Sequence, residues 1–77
     1  MDLKLGNMTT AGFTQMTPRD QMNYLKKTAI LIHRIVKGNL IVSLYWSKEF
    51  IFEVFCPKNN LNTYEIKCYD RYKYVQT

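Results

Sequence analysis

The fold is decided by residues 29–70, AILIHRIVKGNLIVSLYWSKEFIFEVFCPKNNLNTYEIKCYD. This stretch alternates runs rich in Val, Ile, Phe, Tyr and Trp, which favour β-strands, with short segments of the residues that favour turns. It predicts four consecutive strands, at residues 29–36, 40–46, 50–56 and 63–70. Their connections are short, which is typical of an antiparallel meander.

A helix is predicted directly before the first strand. Thr17 can cap a helix start, and Pro18 suits the first helical position because its missing N–H would have no partner there. The apolar residues that follow at helical spacing are Met22, Leu25 and Ala29. This helix ends before residues 29–36, or alternatively continues through them to Gly38. We favour the strand, because a helix over residues 29–36 would be apolar on nearly every side.

The predicted fold class is therefore α+β, with one N-terminal helix packed on a four-stranded antiparallel β-meander. Residues 17–77 are expected to form this single domain. Residues 1–16 carry glycine, threonine and asparagine without a sustained period, so we expect them to form a flexible or loosely packed N-terminal arm. A chain of 77 residues has room for one domain, and its stability margin is small.

The turns between strands predict which residues lie opposite one another. In the first turn Gly38 supplies a positive φ, and a two-residue loop places Arg34 opposite Ser43. A three-residue second turn places Ser43 opposite Glu53. The third loop then places Glu53 opposite Lys67.

Two faces follow from this register, because side chains alternate along a strand. The helix can cover only one of them. The second face would carry a polar row across all four strands, flanked by apolar residues, and an exposed apolar surface of this kind marks an interaction site. We predict that it is formed by Ile32, Arg34, Ile41, Tyr45, Ile51, Glu53, Phe55, Lys67 and Tyr69.

Catalytic chemistry is not indicated by the sequence. Glu53 could act as a general base, but it has no nucleophile or second acid beside it, so a cross-strand ion pair with Arg34 and Lys67 is the favoured interpretation. His33, Cys56 and Cys68 are interpreted as core residues. One histidine and two cysteines without a Cys-x-x-Cys pair do not predict a metal site. We expect no cofactor and no enzymatic activity.

The spacing of Leu44-Tyr45, Phe50-x-Phe52-Glu53-Val54 and a short strand ending near Ile66 resembles that of small uncharacterised bacterial proteins. These have a short N-terminal helix and an aromatic-rich β-meander. The likeness covers residues 24–69 and implies the same α+β fold. It implies no activity, and no functional residue can be transferred from it.

The main functional hypothesis is a non-enzymatic interaction module that self-associates, as a homodimer for example, or binds a protein partner through the second face. No stretch approaches the length of a membrane span, and the first residues lack a signal-peptide pattern, so a cytoplasmic location is expected.

An alternative function is indicated by the basic, tyrosine-rich C-terminal segment, and the net charge of +5 permits it without implying it. Cations that alternate with aromatic rings suit single-stranded nucleic acid, because the rings stack on bases and the cations contact phosphates. The residues that would do this are Lys67, Arg71, Tyr72, Lys73 and Tyr74.

Overall fold

The computed structural model describes residues 8–76, and the side chains of residues 8–73. The helices in this part of the chain are α1 (Thr10–Thr14), α2 (Pro18–Thr28) and α3 (Arg71–Gln76). Its strands are β1 (Ile30–Lys37), β2 (Leu40–Trp46), β3 (Phe50–Pro57) and β4 (Glu65–Asp70). They form one antiparallel sheet in the order β1-β2-β3-β4. The α+β class and the four-stranded meander are confirmed. Two short helices precede the first strand, and one follows the last strand.

The two ends of helix α2 are defined by its capping residues. The Thr17 hydroxyl accepts a hydrogen bond from the backbone N–H of Asp20, at 3.2 Å, and Pro18 occupies the first helical position. Ala29 is extended, with φ −125° and ψ 159°, and its N–H makes the last helical bond, to the carbonyl of Leu25. The chain then enters β1 directly. The alternative that continues the helix through residues 29–36 is therefore wrong.

The first turn matches the prediction. Gly38 has φ of 58°, and no other described residue has a positive φ, as expected when glycine takes the first position of a two-residue hairpin turn. Lys37 pairs with Leu40 across this turn, and Arg34 lies opposite Ser43. Close to the other end of β1 the pairing shifts by one residue between Leu31 and His33, which marks a β-bulge.

The predicted pairing of β2 with β3 is wrong by one residue. Ser43 lies opposite Val54 and not opposite Glu53, because the turn has two central residues where three were expected. Ser47 closes this shorter turn: its backbone N–H donates to the Phe50 carbonyl at 2.9 Å, and its Oγ accepts from the Phe50 N–H at 3.0 Å. The third predicted pairing, Glu53 opposite Lys67, is confirmed.

A shift of one residue exchanges the two faces of a strand relative to its neighbour. The faces of β1 and β2 are consequently reversed, relative to β3 and β4, from the predicted arrangement. We call the side that carries the buried core the helix face; along the two central strands it contains Ile41, Ser43, Tyr45, Phe50, Phe52, Val54 and Cys56. We call the other side the outer face; along the same strands it contains Leu40, Val42, Leu44, Trp46, Ile51, Glu53 and Phe55.

The buried core joins residues of the two N-terminal helices to the helix face. Its members are Phe13, Leu25, Phe50, Phe52, Val54 and Ile66. Phe13 of α1 is fully buried, with its ring centroid 5.1 Å from that of Phe52. The Gln21 amide, also buried, donates to the Phe13 carbonyl at 2.9 Å. Residues 8–16 are thus anchored to the sheet, which differs from the loosely packed arm expected for residues 1–16; residues 1–7 lie outside the described chain.

β4 is followed directly by α3, and it is shorter than predicted, beginning at Glu65. Asp70 explains where α3 begins. Its carboxylate accepts hydrogen bonds from the backbone N–H groups of Tyr72, at 2.9 Å, and Lys73, at 3.4 Å. An aspartate in this position caps a helix start and stabilises it.

Candidate interaction surfaces

The residues predicted to form one interaction face are divided between the two sides of the sheet. Arg34, Ile41 and Tyr45 lie on the helix face, as the pairing of Arg34 with Ser43 and of Tyr45 with Phe52 requires. The members on the outer face are Ile51, Glu53, Phe55, Lys67 and Tyr69. Ile32 falls at the bulge in β1, where the register is irregular. The predicted surface therefore does not exist as one patch, and the error in the second turn is the cause.

Glu53 has a hydrogen-bond partner that the sequence did not indicate. Its Oε1 accepts a hydrogen bond from the Tyr69 hydroxyl at 3.0 Å, and Lys67 lies opposite it on β4. The Lys67 ammonium sits 5.5 Å from the centre of the Phe55 ring, within the range of a cation–π contact. Arg34 is on the other side of the sheet, so the predicted ion pair between Arg34 and Glu53 is wrong.

Arg71 covers one end of the outer face. Its guanidinium carbon lies 4.7 Å from the centre of the Trp46 ring, and its Nη1 donates to the carbonyl oxygens of Ser47 at 3.2 Å and Lys48 at 3.4 Å. Ile51, beside Trp46 in the sheet, is fully buried. The Trp46 indole N–H is buried and has no hydrogen-bond partner among the described residues. This end of the outer face is therefore closed by the chain's own C-terminal segment.

The residues predicted to contact nucleic acid do not form one row. Lys67 lies on the outer face of β4, and Arg71 is engaged with Trp46 and with the second turn. Tyr72 and Lys73 project from α3, where Tyr72 is 72% exposed, and the side chain of Tyr74 is not described. An alternating strand would have aligned these residues, whereas the helix separates them. Single-stranded nucleic-acid binding stays a prediction.

The histidine and the two cysteines are not brought together. His33 is exposed and lies opposite Leu44, on the outer face, so its interpretation as a core residue is wrong. Cys56 and Cys68 lie on the helix face as free thiols. Burial, with a smaller contribution from the Asp70 carboxylate, raises the pKa of the Cys68 thiol to about 12. Cys68 is therefore protonated at neutral pH and is a poor nucleophile. Within residues 8–76, His, Cys, Asp and Glu side chains nowhere form a group of three that could hold a metal ion.

Strand β1 is the most exposed element of the sheet. Seven of its eight residues are exposed and Ile35 is half-buried. The large apolar side chains among them keep much of their surface in water: Ile30 67%, Val36 56%, Ile32 48% and Leu31 44%. β1 is also an edge strand, because among residues 8–76 it pairs only with β2. The sequence showed how apolar this strand is, but which edge would be left open depends on where the helices pack.

A groove of about 520 Å³ lies on the helix face beside β1, and sequence reasoning did not find it. Its walls come from α2, from the first three strands and from the loop before β4. Arg34 and Lys26 contribute the two cations of its lining, which contains no carboxylate among the described residues. The residues that line the groove extend from Met22 to Tyr64, so a local sequence pattern does not connect them.

Comparisons of the chain with protein-family models, with curated proteins and with solved structures gave no match. Among residues 8–76, no helix combines the length and the apolar character that crossing a membrane requires.

Proposed function

We propose that this protein is a non-enzymatic interaction module that self-associates through β1, where a second copy adds its own β1 to the open edge of the sheet. The observation that carries the proposal is the exposure of β1, where four of the five large apolar side chains are each 44–67% exposed. Long, exposed, apolar edge strands pair readily with other strands, because their backbone groups on one side lack a partner.

The backbone geometry of β1 supplies the pairing groups. The two-residue first turn makes Lys37 and Leu40 a hydrogen-bonded pair, so Ile35 and His33, at alternate positions, also bond to β2. The N–H and C=O groups of Arg34 and Val36 then point away from β2, towards the edge. A second β1 strand running antiparallel could bond to these groups and extend the sheet from four strands to eight.

The other edge of the sheet is less accessible. β4 contacts all three helices, and only two of its six residues are exposed, compared with seven of eight in β1. Covering an edge strand with helices is one of the ways in which proteins prevent unwanted pairing. β1 is therefore the edge that favours a second copy, and association there would produce a closed pair with two β4 edges outermost.

The size of β1 limits the strength of this association. Pairing along a strand of eight residues buries a small area compared with the roughly 1,200–2,000 Å² that stable interfaces bury. We therefore expect a dimer that forms at high protein concentration and dissociates on dilution. Side chains next to the edge, such as Ile30 and Ile35, would add to the buried apolar area.

The experiment is sedimentation equilibrium over a wide range of concentration, with Val36→Pro compared to Val36→Ala. Both substitutions remove the valine side chain, but only proline also removes the outward N–H. Proline is tolerated at an edge-strand position whose N–H does not bond within the sheet. The wild type should show a monomer–dimer equilibrium, Val36→Ala should weaken it slightly, and Val36→Pro should leave a folded monomer.

Circular dichroism and thermal unfolding of each variant establish that it is folded. A wild type that remains monomeric at the highest concentration, or a Val36→Pro variant that dimerises as strongly as Val36→Ala, would overturn the proposal.

A further inference from the structure

We propose that the groove beside β1 binds a small monocarboxylate with an apolar tail, such as a medium-chain fatty acid. The groove measures about 520 Å³, within the range of about 300–1,000 Å³ that is common for small-molecule sites. The inference concerns the helix face and does not depend on dimerisation at the edge.

The charge of the groove selects the class of ligand. Arg34 and Lys26 are its ionised side chains, and none of the described lining residues is acidic. A bound anion would therefore meet two cations and no like charge. A neutral or cationic ligand of the same shape would leave the two cations without a counter-charge.

Arg34 is oriented for this role by the sheet. Its Nε donates to the Ser43 hydroxyl at 2.9 Å, and its Nη2 donates to the Tyr45 hydroxyl at 3.4 Å. These two bonds use one edge of the guanidinium. Of its five N–H groups, the other three have no hydrogen-bond acceptor among the described residues, and they include the pair at the end of the group that can bind a carboxylate with two parallel bonds. Because the side chain is already fixed, binding costs less conformational entropy.

The apolar part of the groove accounts for the tail. Met22 of α2, Ile41 and Val54 of the sheet, and Leu61 of the following loop line it, and Leu61 is 65% exposed. An alkyl chain that covers these side chains would remove apolar surface from water, with a gain of roughly 25 cal/mol for each Å². The lining thus combines cations for a carboxylate with apolar wall for a chain.

The test is a titration of the full-length protein with decanoate, below the concentration at which it forms micelles, followed by chemical shifts of the backbone amides. Decanol and decyltrimethylammonium serve as ligands with a matched tail and a different charge. We expect decanoate to shift the backbone amides of the residues that line the groove. Its affinity should be at least tenfold higher than that of decanol, and the difference from decyltrimethylammonium should be larger still.

Two protein variants locate the site, and one serves as the control. Arg34→Gln removes the oriented cation and should weaken decanoate binding at least tenfold. Ile41→Phe fills the groove without changing charge and should also weaken binding. Arg19→Gln removes an exposed cation of α2 that does not line the groove and should bind as the wild type does.

Equal affinity for decanoate and decanol would overturn the assignment of an anion site. Shifts that map elsewhere, or an unchanged affinity in both Arg34→Gln and Ile41→Phe, would overturn the location. Failure of decanoate to bind at all would overturn the proposal, and would leave the association through β1 unaffected, since sedimentation of the same samples measures that property separately.

Discussion

Burial controls the chemistry of Cys68 at the scale of single residues. Its thiol lies on the helix face opposite Phe52, where transfer of a thiolate out of water is unfavourable. Because the neutral form is favoured in the folded protein, the pKa is raised to about 12. Burial also raises the pKa of Tyr24, with the Glu49 carboxylate as the second cause. Both groups bind their protons more tightly when the protein is folded.

We predict slow alkylation of Cys68 in the folded protein. At pH 8 a thiol with a pKa of about 12 is only about 0.01% thiolate, whereas a cysteine at its ordinary pKa of 9.0 is roughly a tenth thiolate, so the rate should fall roughly a thousandfold. The measurement is the rate of iodoacetamide labelling in a Cys56→Ser variant, with the same variant in urea as the reference. Comparable rates in the two conditions would contradict the account.

The same shift predicts how stability depends on alkaline pH. The unfolded thiol loses its proton near its ordinary value of 9.0, while the folded thiol keeps its proton up to about 12. The folded state therefore binds more protons between these values, and the free energy of unfolding should fall as the pH rises from about 9 to about 12. Urea titrations at pH 8 and pH 10.5 measure the change, and a Cys68→Ala variant should show a smaller one.

Phe13 anchors the N-terminal helix to the core. Its ring packs against Phe52 and Tyr24, with centroids 5.1 and 6.0 Å apart. We predict that Phe13→Ala lowers the free energy of unfolding by about 3–5 kcal/mol, because it removes a fully buried ring and leaves a cavity. Urea unfolding measures this effect, with the exposed Gln15→Ala as a control that should change stability by less than about 0.5 kcal/mol. A loss below about 1 kcal/mol for Phe13→Ala would show that α1 does not complete the core.

At the scale of elements, the length of a turn decides which residues of two neighbouring strands lie on the same face of the sheet. The first and third pairings of the meander follow from the sequence, because Gly38 marks a two-residue turn and Glu53 and Lys67 suit each other across β3 and β4. The second turn, SKE followed by Phe50, is consistent with two or three central residues. Only the hydrogen bonds between Ser47 and Phe50 select the shorter one. A difference of one residue in the length of this turn places the members of the predicted interaction face on two sides of the sheet.

Other elements differ in how far their sequence determines them. The start of α2 follows from Thr17 and Pro18, and its end follows from the β-branched run after Ala29. The aromatic and charged residues of α3 alternate, which is a pattern typical of a strand, but the Asp70 cap outweighs that pattern. The burial of Phe13 depends on contacts with residues about 40 positions away, which local pattern cannot supply. The groove beside β1 depends on tertiary packing in the same way.

A disulfide can test the register of β2 and β3 directly. We predict that Leu44→Cys and Glu53→Cys, which lie opposite each other on the outer face, form a disulfide under mild oxidation in a chain whose own cysteines are replaced. The matched control is Ser43→Cys with Glu53→Cys, the pair that the three-residue turn would have placed together. Non-reducing mass spectrometry detects the bond. Preferential bonding of the control pair would restore the predicted register.

At the scale of the whole molecule, residues 8–76 combine a buried core on one side of the sheet with an exposed strand at one edge. The N-terminal helices contribute residues to the buried core with β3 and β4, Arg71 of α3 covers one end of the outer face, and no strand among residues 8–76 pairs with the free edge of β1. Burying such a strand raises the free energy of unfolding by a larger fraction in a small domain than in a large one, because a small domain has a narrow stability margin. Both proposals arise from this asymmetry, since it leaves an edge for a second copy and a groove for a small anion.

Hydrogen exchange of individual backbone amides, measured at low and high protein concentration, tests the open edge most directly. If a second copy pairs with β1, the amides of Arg34 and Val36 should exchange quickly in dilute solution and become protected as the concentration rises. The amides of His33 and Ile35, which bond to β2, should be protected in both conditions. Exchange at Arg34 and Val36 that is independent of concentration, or protection that appears at β4 instead, would contradict the account.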